Sequence, residues 1–248
     1  MLFHGIYKLC DFLSDGIFVH SIFAKKKLCH DYCVDPYKVW VVPYGVKCQK
    51  LENANNKSEK KPTTILTFGA ISPRKGIDIL IEAFSRLIKF HPEWRLIIVG
   101  SAPPYYRWYF SKLVQMVTKA RISEKVSFLG TVSDEDLHRL ISSADLVVFP
   151  YRYIFGASSA LTFAIQHQKA IVISDLPFVK EILRNHVNAI IVRTNDVDSL
   201  IEGLESAMTD KKLKYTIEKN IINVAERCSW RKVAEITLKK YYRILNAN

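Results

Sequence analysis

Long hydrophobic runs are missing from this chain: no uninterrupted apolar stretch among its 248 residues approaches the roughly 18 to 20 that a membrane-crossing helix needs. Also missing, between Met1 and Phe18, is the succession of basic region, apolar core and small-residue cleavage site that marks a secretory leader. Those two absences point to a cytoplasmic protein. Cysteine is scarce and odd in number, with 5 in all, which argues against a disulfide framework and fits a reducing compartment. Cys10, Cys29, Cys33 and Cys48 do crowd toward the start with His30, and that raises a zinc centre. The spacing Cys29-x3-Cys33 is not the usual knuckle, however, and Cys10 and Cys48 have no near partners, so buried structural thiols are the reading. Acidic residues are in deficit as well. With 36 Lys+Arg against 24 Asp+Glu the net charge is +12, which implies an anionic partner: nucleic acid, a phosphorylated substrate or an acidic membrane surface. Charge alone does not choose among them.

What is present begins with one organising stretch. An apolar run at 65–68 stops at Gly69, a Ser72-Pro73 turn follows, and apolar residues then recur at helical spacing through Ile77, Leu80, Ile81 and Phe84. Strand, loop and helix in that order aim backbone N–H groups at whatever lies beyond the carboxyl end of the strand. Arg74 and Lys75 put two cations in the same place, as a diphosphate would require; the alternative is a solvated basic turn. Further strands are expected at 95–99, 126–129, 146–149, 170–173 and 189–192, with helices between them, which makes a doubly wound parallel sheet. Residues 63–228 form this Rossmann-like unit, and a helix at 230–245 follows in the terminal segment 229–248. Ahead of it, residues 1–48 offer two strands, at 15–21 and 39–43, and a basic helix around 24–28 capped by Ser21. That is too little for an independent sheet. Residues 49–62 are polar and aperiodic and read as a linker.

Other positions converge on the same edge. Gly100 and Gly130 end strands where a backbone can approach a ligand, and main-chain groups near Val126, Leu129 and Gly130 can meet a nucleobase edge; ordinary strand-to-loop glycines are the alternative. Ser158 and Ser159 open a helix after the buried strand at 146–149, with hydroxyls that either cap that helix or turn to phosphate, and Arg152 adds charge nearby. Tyr105-Tyr106-Arg107-Trp108-Tyr109-Phe110 interleaves aromatics with a cation, a pattern suited to a membrane interface, a partner protein or single-stranded nucleic acid, with core packing accounting for about half of the rings.

The string from Phe68-Gly69 through Pro73-Arg74-Lys75-Gly76-Ile77-Asp78, then Ile98-Val99-Gly100, Phe128-Leu129-Gly130, Ala144-Asp145 through Phe149-Pro150, and Ser229-Trp230, resembles the nucleotide-binding half of family 4 glycosyltransferases. The resemblance implies a retaining enzyme of the GT-B fold, with an active site between two facing Rossmann-like domains and a nucleotide-diphosphate sugar as donor. It implies Lys75 on the diphosphate, with Gly69, Arg74, Ser158 and Ser159 completing the donor site and Gly100, Val126, Leu129 and Gly130 near the nucleotide. No metal and no cofactor beyond the donor is required, since cations and a helix dipole supply the positive charge. Residues 1–48 then correspond to a remnant of the acceptor-side N-terminal domain, and the last helix crosses back onto it.

Two departures bear on activity. Most of the N-terminal domain is absent, so either a partner chain supplies the facing half, or the chain is a fragment, or transfer has been lost. The family usually carries two glutamates after the strand that ends at Pro150. The later aligns with Phe163, the earlier falls near Tyr153 or Phe155, and no Asp or Glu occurs between Asp145 and Asp175. Ala70 stands where an arginine often follows the first glycine, with Arg74 substituting for its charge. Glu181 resembles a family position, and a solvated helix-start glutamate explains it as well. The function that follows is hexosyl transfer to a glycan, lipid or protein acceptor, peripheral at an acidic membrane; the alternative is a degenerate nucleotide-sugar-binding or interaction module. Only charge favours a nucleic-acid binder. The catalytic residues are left unassigned.

Overall fold

The computed structural model describes residues 2–47, 63–154 and 156–246. The linker expected at 49–62, Cys48 and Phe155 lie outside the described residues. A helix α1 (Leu2–Leu13) comes first, followed by β1 (Ile17–Val19), α2 (Ile22–Tyr32) and β2 (Val39–Val41). The two strands pair in parallel with Ile17 opposite Val39. As expected, Ser21 caps α2, its Oγ accepting from Ala24 N at 3.0 Å. Helix α1 was not foreseen. Ile6, Leu9, Phe12 and Leu13 are all exposed on it.

The larger unit runs β3 (Thr64–Phe68), α3 (Ile77–Leu87), β4 (Arg95–Val99), α4 (Arg107–Lys119), β5 (Val126–Gly130) and α5 (Asp134–Ser143). It continues with β6 (Leu146–Phe149), α6 (Ser159–Gln166), β7 (Ile171–Ser174), α7 (Pro177–Ile182), β8 (Ile190–Val192), α8 (Val197–Thr209) and α9 (Lys211–Arg227). The six strands pair in parallel in the order β5-β4-β3-β6-β7-β8. All four residues of β6 and of β7 are buried, as in strands covered by helices on both faces. Helix α3 shows why the organising stretch folds as it does: Ile77, Leu80, Ile81 and Phe84 are buried at a spacing of three and four.

The order reverses direction between β3 and β6. One half of the sheet grows outward through β4 and β5, the other through β7 and β8. Connections leaving the carboxyl ends of β3 and β6 therefore diverge, and open α/β sheets bind ligands in the crevice that this divergence leaves. Gly69 and Pro150 follow those two strands.

The first 47 residues are fastened to the sheet unit by side chains from both ends of the chain. Helix α10 (Trp230–Leu245) lies against β1 and β2, with the Tyr241 and Phe18 rings at 5.6 Å and Lys240 Nζ at 5.9 Å from the Trp40 ring. Val46 forms a bridge with Ser229. The thiols near the start depart from expectation: Cys10 and Cys33 are exposed and Cys29 half-buried, so short helices at the surface carry them rather than a core. Among the described residues no group of three or more His, Cys, Asp or Glu could hold a metal ion. Nor is any described helix long and apolar enough to cross a membrane.

Candidate functional site

Beyond β3, the chain passes Gly69 and makes a single 3-10 turn over Pro73–Lys75 before α3 begins. Lys75 ends that turn with only 8% of its surface exposed. Its Nζ lies 3.9 Å from the centroid of the Tyr151 ring, and a Cβ on Gly69 would come within 3.8 Å of it. Burial, and secondarily the charge of Arg74, brings the Lys75 pKa down from 10.5 to about 8. Among the described residues neither Arg74 nor Lys75 pairs with a carboxylate. Two cations without counterions at the carboxyl edge of a parallel sheet form a site for an anion.

Across a cleft of about 460 Å³, Arg74 and Lys75 face Tyr153, Ala157, Ser158 and Ser159. Ser159 is the exposed first residue of α6, while Ser158 behaves as a cap: it is 5% exposed, accepts from Leu161 N at 3.2 Å and lies 3.3 Å from the Tyr151 hydroxyl. Its hydroxyl is occupied, leaving Ser159 and the first turn of α6 to face the cleft. An adjoining pocket of about 400 Å³ shares Ser159 and adds Phe68, Gly69, Gly100, Leu137 and Phe163. The two meet at Ser159 in a recess lined by the cations on one side and largely by apolar residues on the other.

The structure gathers Gly69, Arg74, Lys75, Ser158, Ser159 and Gly100 around this recess and leaves the remaining nucleotide-site candidates outside it. Val126 opens β5, pairs with Leu96 and is buried at the opposite end of the sheet. Leu129 is exposed and, with Gly130, lines neither pocket. Gly130 stops just short of the recess: its carbonyl accepts from Gly100 N at 2.7 Å, and Thr131 and Val132, which follow it, line the apolar pocket. Gly100 has a structural reason to be glycine: at φ 127° a Cβ there would fall 2.1 Å from the Gly69 carbonyl oxygen.

Arg152 does not add charge to the cleft. Its guanidinium holds Asp78 through Nη1 to Oδ1 at 2.8 Å and Nη2 to Oδ2 at 3.0 Å, and Nη1 also donates to the Pro73 carbonyl at 2.7 Å. Asp78 takes a further hydrogen bond from the Tyr109 hydroxyl at 2.8 Å and another from Lys112 Nζ at 3.1 Å. These bonds outweigh the burial of Asp78, and its pKa falls to about 2. Sequence reasoning missed this cluster because its members lie 31 to 74 residues apart. Tyr109 is accordingly buried and Phe110 packs on the core, while Tyr105 and Trp108 are exposed beside Arg107.

Glu181 has a third role, neither of the two foreseen. Its carboxylate accepts from Ile22 N at 2.7 Å and Phe23 N at 2.8 Å, capping α2 from the other unit. It also lines a pocket of about 250 Å³ with His20, Ser158 and Arg227. Phe163, aligned with the later family glutamate, brings an aromatic edge to the apolar end of the recess and packs its ring 5.4 Å from that of His138.

Comparison with known proteins fits this geometry. An uncharacterized glycosyltransferase of Methanocaldococcus jannaschii is 27% identical over 250 residues, covering 96% of this chain and 62% of that protein. The phosphatidylinositol N-acetylglucosaminyltransferase gpi3 subunit of Schizosaccharomyces pombe is 26% identical over 218 residues, covering 87% of this chain and 46% of its own. The chain thus spans between about half and two thirds of these relatives. Among solved structures, Anabaena HepE in complex with UDP and glucose superposes with a TM-score of 0.82 at 19% identity, over 98% of this chain and 66% of that one. A Rickettsia africae glycosyltransferase does so at 0.84 and 17%, over 98% and 68%. These likenesses give the fold, that of GT-B glycosyltransferases. The profile of one family, glycosyl transferases group 1, matches residues 49–224, a span that holds the parallel sheet, the Arg74-Lys75 turn and the start of α6, and the chain belongs to that family.

Proposed function

We propose that this chain binds a nucleotide-diphosphate sugar and serves as the donor-side part of a glycosyltransferase. The observation that carries the reading is the meeting of Arg74, buried Lys75 and the first turn of α6 on one recess, with no carboxylate among its lining residues. In the transfer, the bond from the anomeric carbon to the diphosphate oxygen breaks and its electron pair leaves with the diphosphate. A new bond forms from that carbon to an acceptor hydroxyl oxygen, whose proton passes to the departing phosphate. The developing charge on the diphosphate is met by Lys75, Arg74 and the α6 N-terminus, preorganised in a site where they are partly shielded from water. These groups suffice without a metal. The nucleoside lies along the apolar end, against Phe68 and Phe163.

An acceptor needs a second wall facing the recess, which we assign to a further segment or a partner chain that completes the β1–β2 unit. The Schizosaccharomyces relative is named as a subunit, which supports a partner. The exposed Tyr105 and Trp108 beside Arg107 support an acidic membrane surface as the place of work. One observation favours a second reading, a binding module without transfer: the stretch from 146 to 174 holds no Asp or Glu.

Calorimetric titration with UDP and GDP, beside Lys75→Ala, tests the reading. Saturable binding of either nucleotide that the variant loses is the expected result. Binding of neither by the wild-type chain would withdraw the donor site, and binding undiminished in Lys75→Ala would move it elsewhere.

A further inference from the structure

Lys75 sits at the end of a turn of three residues, and a lysine stem is flexible. Something has to hold its ammonium over the Tyr151 ring. The exit from β6 does so at several points. Arg152 N donates to the Arg74 carbonyl at 2.9 Å. The Arg152 guanidinium reaches behind the turn to the Pro73 carbonyl and grips Asp78, the second residue of α3. Gly76 packs so tightly on this exit that a Cβ would fall 1.9 Å from the Pro150 carbonyl oxygen. Asp78 is in turn fixed from α4 by Tyr109 and Lys112, and Arg152 Nε donates to Asn195 Oδ1 at 3.0 Å.

We infer that the Asp78–Arg152 pair is the positioning device of the anion site: it clamps the Pro73–Lys75 turn to the end of β6 and so sets Lys75 over Tyr151. Arg152 acts on a bound anion through Lys75 and not by contact. Four of the five guanidinium N–H groups go to Asp78, Pro73 and Asn195, and Arg152 lines neither pocket of the recess. The carboxylate that balances local charge is likewise placed behind the turn, where it braces the cations without neutralising them.

The anion as a nucleotide diphosphate rests on the function proposed above, so the test has one arm that needs no ligand. The reactivity of Lys75 toward an acylating reagent, followed across pH by peptide mass spectrometry, reports the ionisation of its amine directly. In wild type the midpoint falls near 8; in Arg152→Gln, with the turn released and the amine solvated, it moves toward the ordinary lysine value. Tyr109→Phe, which removes one of the bonds to Asp78 while leaving Arg152 in place, gives a smaller upward move and covers the case in which Arg152→Gln does not fold. A midpoint unmoved in a folded variant overturns the inference. In the second arm, UDP or GDP affinity is measured for Arg152→Gln, Lys75→Ala and the double variant. Arg152→Gln weakens binding about tenfold in the wild-type background and has no further effect once Lys75 is gone. Equal losses in both backgrounds would make Arg152 a direct ligand and overturn the inference. If no nucleotide binds but the midpoint moves, the clamp stands and the donor reading falls.

Discussion

Replacing Lys75 with methionine should stabilise this protein. Lys75 is 8% exposed, and its ammonium has no carboxylate partner among the described residues. The fall of its pKa from 10.5 to about 8 corresponds to about 3 kcal/mol against the charged form near neutral pH. The Tyr151 ring, 3.9 Å from Nζ, returns about 1 to 2 kcal/mol of this by cation–π attraction. A net penalty of about 1 to 2 kcal/mol is left, and Lys75→Met removes it while keeping a flexible stem of similar length. The pH dependence follows from the direction of the shift. With the folded-state pKa below the unfolded one, the unfolded chain binds more protons between about 8 and 10.5, so wild-type stability rises with pH through that window. The advantage of Lys75→Met is therefore full near pH 7 and shrinks toward about pH 10. Urea unfolding followed by circular dichroism at both pH values measures it. A variant less stable than wild type near pH 7, or one whose advantage does not change with pH, would refute the reasoning.

Nucleotide affinity should run the opposite way, weakening about tenfold between about pH 7 and pH 9 as Lys75 loses its proton through a pKa of about 8; titration calorimetry at the two pH values reads this. Gly76→Ala places a Cβ 1.9 Å from the Pro150 carbonyl oxygen at a φ of 65°, so it should lose about 1 to 2 kcal/mol for the left-handed backbone alone, with the clash adding to the fall in melting temperature. Glu181→Ala removes the carboxylate that caps α2 alongside Ser21 and should cost about 1 kcal/mol, with faster amide hydrogen exchange at Ile22 and Phe23, the two donors it satisfies. Saturating EDTA should leave nucleotide affinity unchanged, since the site we propose is built from Arg74, Lys75 and a helix terminus; a loss on chelation that a divalent ion restores would contradict a metal-free site.

Local patterns made much of the sheet legible. Apolar runs ending at Gly69 and Gly100, and the helical spacing of Ile77, Leu80, Ile81 and Phe84, place β3, β4 and α3 to within a residue or two, because burial on both faces of a parallel strand and on one face of a helix writes itself into adjacent positions. The capping of α2 by Ser21 was legible for the same reason, since a cap reaches only three residues. What acts across the chain was not. Asp78 and Arg152 lie 74 residues apart, and Glu181 lies 159 from Ile22. Nothing in either neighbourhood tells a clamp from a solvated charge. Ser158 and Ser159 show the limit at short range. The motif marks the helix start, but which hydroxyl turns inward to cap and which is left exposed is decided by the chain's path out of β6, by way of Tyr151.

The placement of charge behind the turn ties stability to function in this site. A carboxylate beside Lys75 in the cleft would relieve the buried ammonium, but it would also occupy the site and repel a diphosphate. Leaving the cation bare makes the site attractive to an anion, at the cost of stability that Lys75→Met should recover. A bare cation on a loose turn would swing toward water and become an ordinary solvated lysine. The carboxylate is therefore best placed where it holds the turn and does not reach the ammonium. Asp78 meets that condition: it is the second residue of α3, engaged by Arg152, Tyr109 and Lys112, and held ionised well below neutral pH. On this account the same residues that look like surplus charge in the sequence, Asp78 and Arg152, are what allow an unpaired lysine to persist in the interior of the site.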